Sequence, residues 1–280
     1  MSDDPDLADV DLSALGVPAP GPGADPDEPA VALQWLARMA RATRAASPST
    51  VDPALEAELA EELAARPAPD RAFGQLHIDA ASCLRRAAIV KDAAQRAAKD
   101  RTPRVIAIGD DDGVTLALRL LGLEDVHAVD LDEAILRFLA GRGVPTTRAD
   151  VLGSSVPEPL RRAFDVAVTD PFRDLDGGLG FLSYAAACVR EAGALAWVDH
   201  PDWNYELSVV QATLRTLGWA VTAEHTSVHA YALEPIGWDA VIATYPSLEP
   251  AIRRSLGRAR AWSNLYLLER RTPRARSAMR

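Results

Sequence analysis

The chain has 280 residues, enough for one large α/β domain and a smaller appendage. Its 40 acids against 30 bases leave a formal net charge of −10, which argues against a nucleic-acid surface and is compatible with a small cationic amine as ligand. Two distant cysteines argue against a disulfide scaffold and make the reducing cytoplasm the expected compartment, and no apolar run approaches the ~20 residues that span a bilayer as a helix.

Residues 1–28 are rich in Asp, Pro and Gly, unlike a signal peptide, and are expected to form a disordered tail. "VALQWLARMARATRA" places Leu33, Leu36, Met39 and Thr43 on one helical face. "VDPALEAELAEELAAR" predicts a second helix, with Asp52 as N-cap, Pro53 in the first turn and Leu55, Leu59 and Leu63 spaced by four. Residues 29–70 are therefore expected to be a small helical N-terminal unit. Without a basic recognition helix, it reads as a packing or dimerisation arm, open to homodimer formation, rather than a DNA-binding helix-turn-helix. An amphipathic helix follows "FGQLHIDAASCLRRAAIVKDAAQRA".

From Arg104 the chain alternates between strand and helix. "RVIAI", "VHAVD", "FDVAVTD" and "ALAWVD" read as strands, followed by the helical runs "VTLALRLLG", "EAILRFLAG", "LGFLSYAAACVRE" and "YELSVVQATLRTLG". This is the pattern of a mostly parallel, doubly wound sheet covered on both faces. Two late strands, "WAVTAEHTSVHAY" and "SNLYLLER", have no crossover helix of suitable length between them and are expected to pair antiparallel at the sheet edge. The fold class is thus α/β, a methyltransferase-like Rossmann fold over residues 71–270, with the small helical unit before it and a basic mobile tail at 271–280.

In such a sheet ligands bind beyond the carboxyl ends of the strands. Those ends here are acidic: "IGDDD", "AVDLDE", "TRADV", "AVTDP" and "WVDHPDW". Gly109, Asp110, Asp111, Asp112, Asp130, Asp132, Asp150, Asp170 and Asp199 are expected to border one cleft. Any single aspartate is as readily a helix cap or a solvated turn residue. Carboxylates crowded together repel, however, and call for a cation. Asp130, about 20 residues beyond the first turn, suits a ribose diol. A turn holding three aspartates and no G-x-G-x-x-G disfavours a pyrophosphate and favours a nucleoside with positive charge. S-adenosylmethionine and its decarboxylated form both qualify, with Asp130 and Asp150 on the adenosine. The intact form carries a net charge of about +1 and the decarboxylated form about +2. Unit charges 4 Å apart interact by about 4 kcal/mol at an effective dielectric near 20, so the acids should prefer the donor without a carboxylate.

At these residues the sequence resembles the branched-chain polyamine synthases, or bis(aminopropyl)spermidine synthases. "GDDD" after the first strand, "VDLDE" after the second, "FDVAVTDP" at the fourth segment and "FGQ…RRAAIV" upstream lie in that family's order over roughly residues 70–235. The resemblance implies transfer of an aminopropyl group from decarboxylated S-adenosylmethionine to a polyamine, with release of methylthioadenosine. It implies that Gly109, Asp110, Asp130, Asp132, Asp150 and Gln75 hold the donor. It places substrate binding and the base on the "GDDD" acids, with Asp112 as proton acceptor, Asp111 on the substrate and Asp170 holding or deprotonating the amine. Asp199 and Pro171 join the substrate side, and Phe172 and Trp203 are candidates for an apolar wall there. The chain departs from the family in having "DPF" for "DPP", Gly74-Gln75 for "DQ", two short helices for a winged helix and a basic tail for an acidic one; these departures bear on the acceptor.

Three rival readings remain: a methyltransferase using the intact donor, a 3-amino-3-carboxypropyl transferase, and a ligand-binding protein without catalysis. His200 in "DHPDWN" reads as a strand-end residue. His225 and His229 fall in a strand run. Cys83 reads as a buried structural thiol, and no metal-ligand spacing is present.

Overall fold

The computed structural model describes residues 6–19, 28–172, 174–199, 207–232 and 238–270. Nine α-helices and seven strands occur among them, in the order α1 Pro29–Ala45, α2 Pro53–Leu63, α3 Ala80–Ala98, β1 Val105–Ile108, α4 Val114–Leu120, β2 Val126–Asp130, α5 Glu133–Ala140, β3 Thr146–Arg148, β4 Phe164–Thr169, α6 Leu175–Cys188, β5 Val189–Asp199, α7 Leu207–Thr216, β6 Trp219–Ala232, α8 Trp238–Thr244, α9 Glu249–Arg258 and β7 Arg260–Arg270.

The strands form one seven-stranded sheet in the order β3-β2-β1-β4-β5-β7-β6. β1 runs parallel to β2 and β4, β2 to β3, and β4 to β5. β7 lies antiparallel to β5, with Trp197 opposite Tyr266 and Asp199 opposite Asn264. This is the expected methyltransferase-like topology. β1 reads as an unbroken apolar run, and β4 holds one at 166–168, because both of their faces are buried. One face of the sheet packs in a core around Ile106, Val129, Phe164, Trp197, Trp219 and Leu182. Strand order turns at β1, between β2 and β4, and that switch point is where the carboxyl ends of three strands open together.

Two compact units divide the chain: one of residues 1–48 and 230–262, the other of 49–229 and 263–280. The expected boundaries are corrected accordingly. The helices assigned to a single unit at 29–70 part company, α1 belonging to the first unit and α2 to the second. Within the first unit α1 buries Val31, Leu33, Leu36 and Met39 and packs against α8 and α9, so the face read as a packing or dimerisation arm is covered by its own chain. Residues 6–19, read as disordered, are turns that bury Leu7, Leu12 and Val17. The Leu7 amide donates to Ser255 Oγ at 3.0 Å, and Arg44 pairs with Asp6 and Asp9. A few apolar residues spaced among the aspartates were sufficient to dock this segment. Residues 1–5, 20–27 and the tail at 271–280 lie outside the described residues.

Two further corrections concern elements. β5 starts at Val189, immediately after α6, so "VRE" is strand rather than helix end. Between β6 and β7 the chain forms two short helices, α8 and α9, which lie in the first unit with α1.

Candidate active site

The β1 turn is bounded by glycines. Gly109 has φ +73° and Gly113 φ +75°, the left-handed conformation that side chains resist. Three aspartates between them project from a short connection into α4. The sheet register sets Ile108 beside Val129 and Thr169, so the residues that follow, Asp110, Asp130 and Asp170, emerge from adjacent strand ends.

The three aspartates have three different environments. Asp110 is buried and caps α4: its carboxylate accepts from the amides of Val114 (2.7 Å) and Thr115 (3.2 Å) and from Thr115 Oγ1. Burial pushes its pKa up to about 7, against the pull of those hydrogen bonds. Asp112 is 2% exposed. Its Oδ1 accepts from the Ile78 amide at 3.0 Å, and its Oδ2 pairs with Arg86 Nη1 at 2.9 Å. Burial raises its proton affinity and Arg86 opposes the rise. Asp111 is only partly covered, and among the described residues its carboxylate makes no hydrogen bond or ion pair. Burial, followed by the charges of Asp112, Asp170 and Asp130, holds its pKa well above the usual carboxylate range.

Asp112, expected as the proton acceptor, is therefore enclosed, with both oxygens engaged. Asp112 and Asp170, expected as proton acceptor and amine clamp, share a cation of the chain itself. Arg86, on α3 and 1% exposed, donates from Nη1 to Asp112 and from Nη2 to Asp170 Oδ2 at 3.0 Å. Its Nε donates to His229 Nε2 at 2.8 Å. Because a guanidinium can only donate, this contact assigns His229 as the neutral tautomer with its proton on Nδ1, which lies 2.8 Å from Ser263 Oγ. Arg66 braces the same turn from behind, donating to the carbonyls of Asp111 and Asp112.

The sequence reading does not single out Arg86, and it places His229 in a strand run without a site role. One signal existed for Arg86. It occupies the apolar stripe of α3 that also carries Cys83, Ala87, Val90 and Ala94, and a charge on a buried stripe demands partners. Cys83 itself is buried, with its thiol pKa pushed up by burial and its Sγ directed at the Asp112 carbonyl, as a structural thiol would be.

The residues expected on the donor side are tied together by backbone. Asp130 accepts from the amides of Asp110 (3.0 Å) and Asp132 (2.9 Å), so it organises both strand-end turns. Burial raises its pKa and the backbone amides oppose the rise. Asp132 caps α5 through the Ala134 amide and accepts from Gln75 Nε2 at 3.0 Å. Gln75, expected on the donor, uses its other end to accept from the Asp70 amide, and so bridges its own turn to Asp132. Asp150 is exposed, and its carboxylate accepts from the amides of Leu152 and Gly153. Asp199 is buried at the end of β5, beyond β4 in the sheet.

Pro171 is half-buried and Phe172 is 36% exposed. Phe172 packs edge to face on Phe181, with centroids 5.5 Å apart. A Cβ on Gly74 would lie 2.3 Å from the Phe172 ring, and one on Gly109 would lie 3.2 Å from the Phe181 ring. The aromatic pair thus rests on the two glycine turns and borders the acid cluster. Trp203 and His200 lie outside the described residues. Among the described residues, no cluster of three or more His, Cys, Asp or Glu side chains could hold a metal ion.

The sheet is of the methyltransferase-like class, and the comparisons narrow that class. Residues 56–232 match the family described as the branched-chain polyamine synthase A C-terminal domain, and the chain belongs to that family. The branched-chain polyamine synthase of Thermus thermophilus, solved with N4-aminopropylspermidine and 5′-methylthioadenosine, is 22% identical with a TM-score of 0.58, over 77% of this chain and 63% of that one. An RNA methyltransferase candidate from Pyrococcus horikoshii shares the fold at 14% identity with a TM-score of 0.54, over 78% of this chain and 100% of that one. An uncharacterized protein of Methanocaldococcus jannaschii is 30% identical over 127 residues, which are 42% of this chain and 32% of that protein.

Proposed function

We propose that the chain is an aminopropyltransferase that moves a 3-aminopropyl group from decarboxylated S-adenosylmethionine to a polyamine amine and releases methylthioadenosine. The observation that carries this reading is the cluster of acids at the ends of β1, β2 and β4, inside the stretch that matches the polyamine synthase family. Asp111, Asp112, Asp130 and Asp170 act on one another electrostatically, and Arg86 offsets only part of their charge. A cleft with that excess takes a cationic nucleoside and a cationic amine, and rejects a phosphate.

The residues fit the donor. Asp130 holds the ribose hydroxyls with lone pairs not used by the two amides, and Gly109 lets the nucleoside approach the backbone. Asp150 stands at the adenine end. The donor's sulfonium supplies an activated carbon. What remains for the protein is to align the amine and take its proton, and alignment provides the larger share of the acceleration. Asp111 takes over the role first given to Asp112, because its carboxylate is the accessible one with raised proton affinity. Asp170 holds the amine beside it, and the Phe172 and Phe181 rings exclude water on one side.

The test is calorimetric titration of S-adenosylmethionine, its decarboxylated form and methylthioadenosine at low salt, with mass analysis of the sulfur product and the acceptor. Tighter binding of the decarboxylated donor and an aminopropyl mass gain support the reading. Tighter binding of the intact donor, with methyl or carboxypropyl gain, overturns it.

A further inference from the structure

Among the described residues Arg86 contacts three separate elements, and each contact is directional. Its two terminal nitrogens go to different carboxylates, Asp112 on the β1 turn and Asp170 after β4, while Nε goes to His229 on β6. The guanidinium is buried, permanently charged and unable to accept a proton, so it is a fixed counter-ion and not a proton carrier. It also occupies the point between Asp112 and Asp170 that an incoming ammonium would need. Among the described residues the other charged or titratable groups facing the cluster are Asp110 and Asp111 on the same turn, Asp130 from β2, Cys83 on α3 and Arg66 behind the turn.

We propose that Arg86 is a positioning residue: by holding Asp112 and Asp170 as a bridged carboxylate pair, it confines proton uptake from the acceptor amine to Asp111. The proposal rests on the aminopropyl reading for the identity of the amine, and on the contact geometry for everything else. His229 belongs to the device. Its neutral Nε2 fixes the roll of the guanidinium, and Ser263 fixes the tautomer that presents Nε2 as an acceptor. Geometry thus divides labour among neighbouring carboxylates: two bridged by a buried cation, one left open.

Lysine would supply charge without the fork, and glutamine would supply neither. The experiment is a carbon-13 carboxyl NMR titration of aspartate-labelled protein without substrates. It compares wild type, Arg86→Lys and Arg86→Gln, with Asp111→Asn identifying the Asp111 resonance. In wild type, Asp111 should titrate at higher pH than Asp112. In the folded variants both should gain proton affinity, Asp111 by about tenfold or more in Arg86→Gln. The acid limb of the kcat profile of Arg86→Lys should move to higher pH in step with Asp111, with donor affinity within about threefold, which a merely structural loss would not produce. An Asp111 titration unchanged in either folded variant, or Asp112 titrating above Asp111 in wild type, overturns the proposal. Absence of methylthioadenosine release by wild type overturns the aminopropyl reading alone, since the titration decides the role of Arg86 in either case.

Discussion

Replacing Asp112 with asparagine separates a structural role from a catalytic one. The Asp112 carboxylate is 2% exposed, with one oxygen on the Ile78 amide and the other 2.9 Å from Arg86 Nη1. Asparagine can keep its oxygen on Ile78, but it then turns an NH₂ toward a guanidinium. Two donors face each other, and a buried charge loses one of the two carboxylates it meets among the described residues. Breaking a buried pair in this way costs about 3–5 kcal/mol. At about 2–4 °C per kcal/mol for a unit of this size, the melting temperature should fall by about 6–20 °C. Thermal unfolding followed by circular dichroism at pH 7.5, with urea titration as a second measure, reads the effect. The double variant Asp112→Asn/Arg86→Met should be less destabilised than the sum of the singles, because it removes the stranded charge as well. A melting temperature within about 2 °C of wild type, together with a turnover loss of about 10²-fold, would refute this reasoning and return Asp112 to the role of proton acceptor.

Other substitutions probe the remaining groups. Asp130→Asn should weaken methylthioadenosine binding by about 1–3 kcal/mol in calorimetry, and should also lower stability, because both strand-end turns hang on that carboxylate; unchanged affinity in a folded variant would remove Asp130 from the ribose. Gly74→Ala puts a Cβ 2.3 Å from the Phe172 ring at a φ of +67°, so a loss of about 1–3 kcal/mol and a raised acceptor KM are expected; wild-type stability would mean the ring moves freely. The raised pKa of Asp110, about 7 against the usual carboxylate value, means that the folded state holds this proton more tightly than the unfolded chain. The stability this confers is full below about pH 4 and is lost as pH rises through about 7. Asp110→Asn keeps a cap acceptor for α4 and should flatten that decline in a series of melting curves.

Much of the architecture was legible in the residues. Continuous apolar runs such as "VIAI" and "VAVT" mark strands buried on both faces, and their alternation with helical runs implies a parallel sheet. Asp52 and Pro53 mark a helix start that the structure repeats, with the Ala54 amide on the Asp52 carboxylate. These signals are local, because hydrophobic periodicity and capping act within a few residues of the chain. The docking of residues 6–19 and the parting of α1 from α2 were not legible, because they depend on partners such as Ser255 that lie far along the chain.

The candidate site divides in the same way. The sequence by itself determined that acids cluster at the strand ends, since the register of a parallel sheet leaves its carboxyl ends together. Tertiary structure decided what each acid does. Asp110, Asp111 and Asp112 are identical and adjacent, yet one caps a helix, one is left open and one is paired inside the protein. The difference comes from the way the turn between Gly109 and Gly113 points them, and from Arg86 and His229, which are 143 residues apart and meet only when α3 and β6 are in place. A carboxylate's proton affinity depends on burial and on the charges around it, and those are properties of the folded arrangement rather than of the residue type.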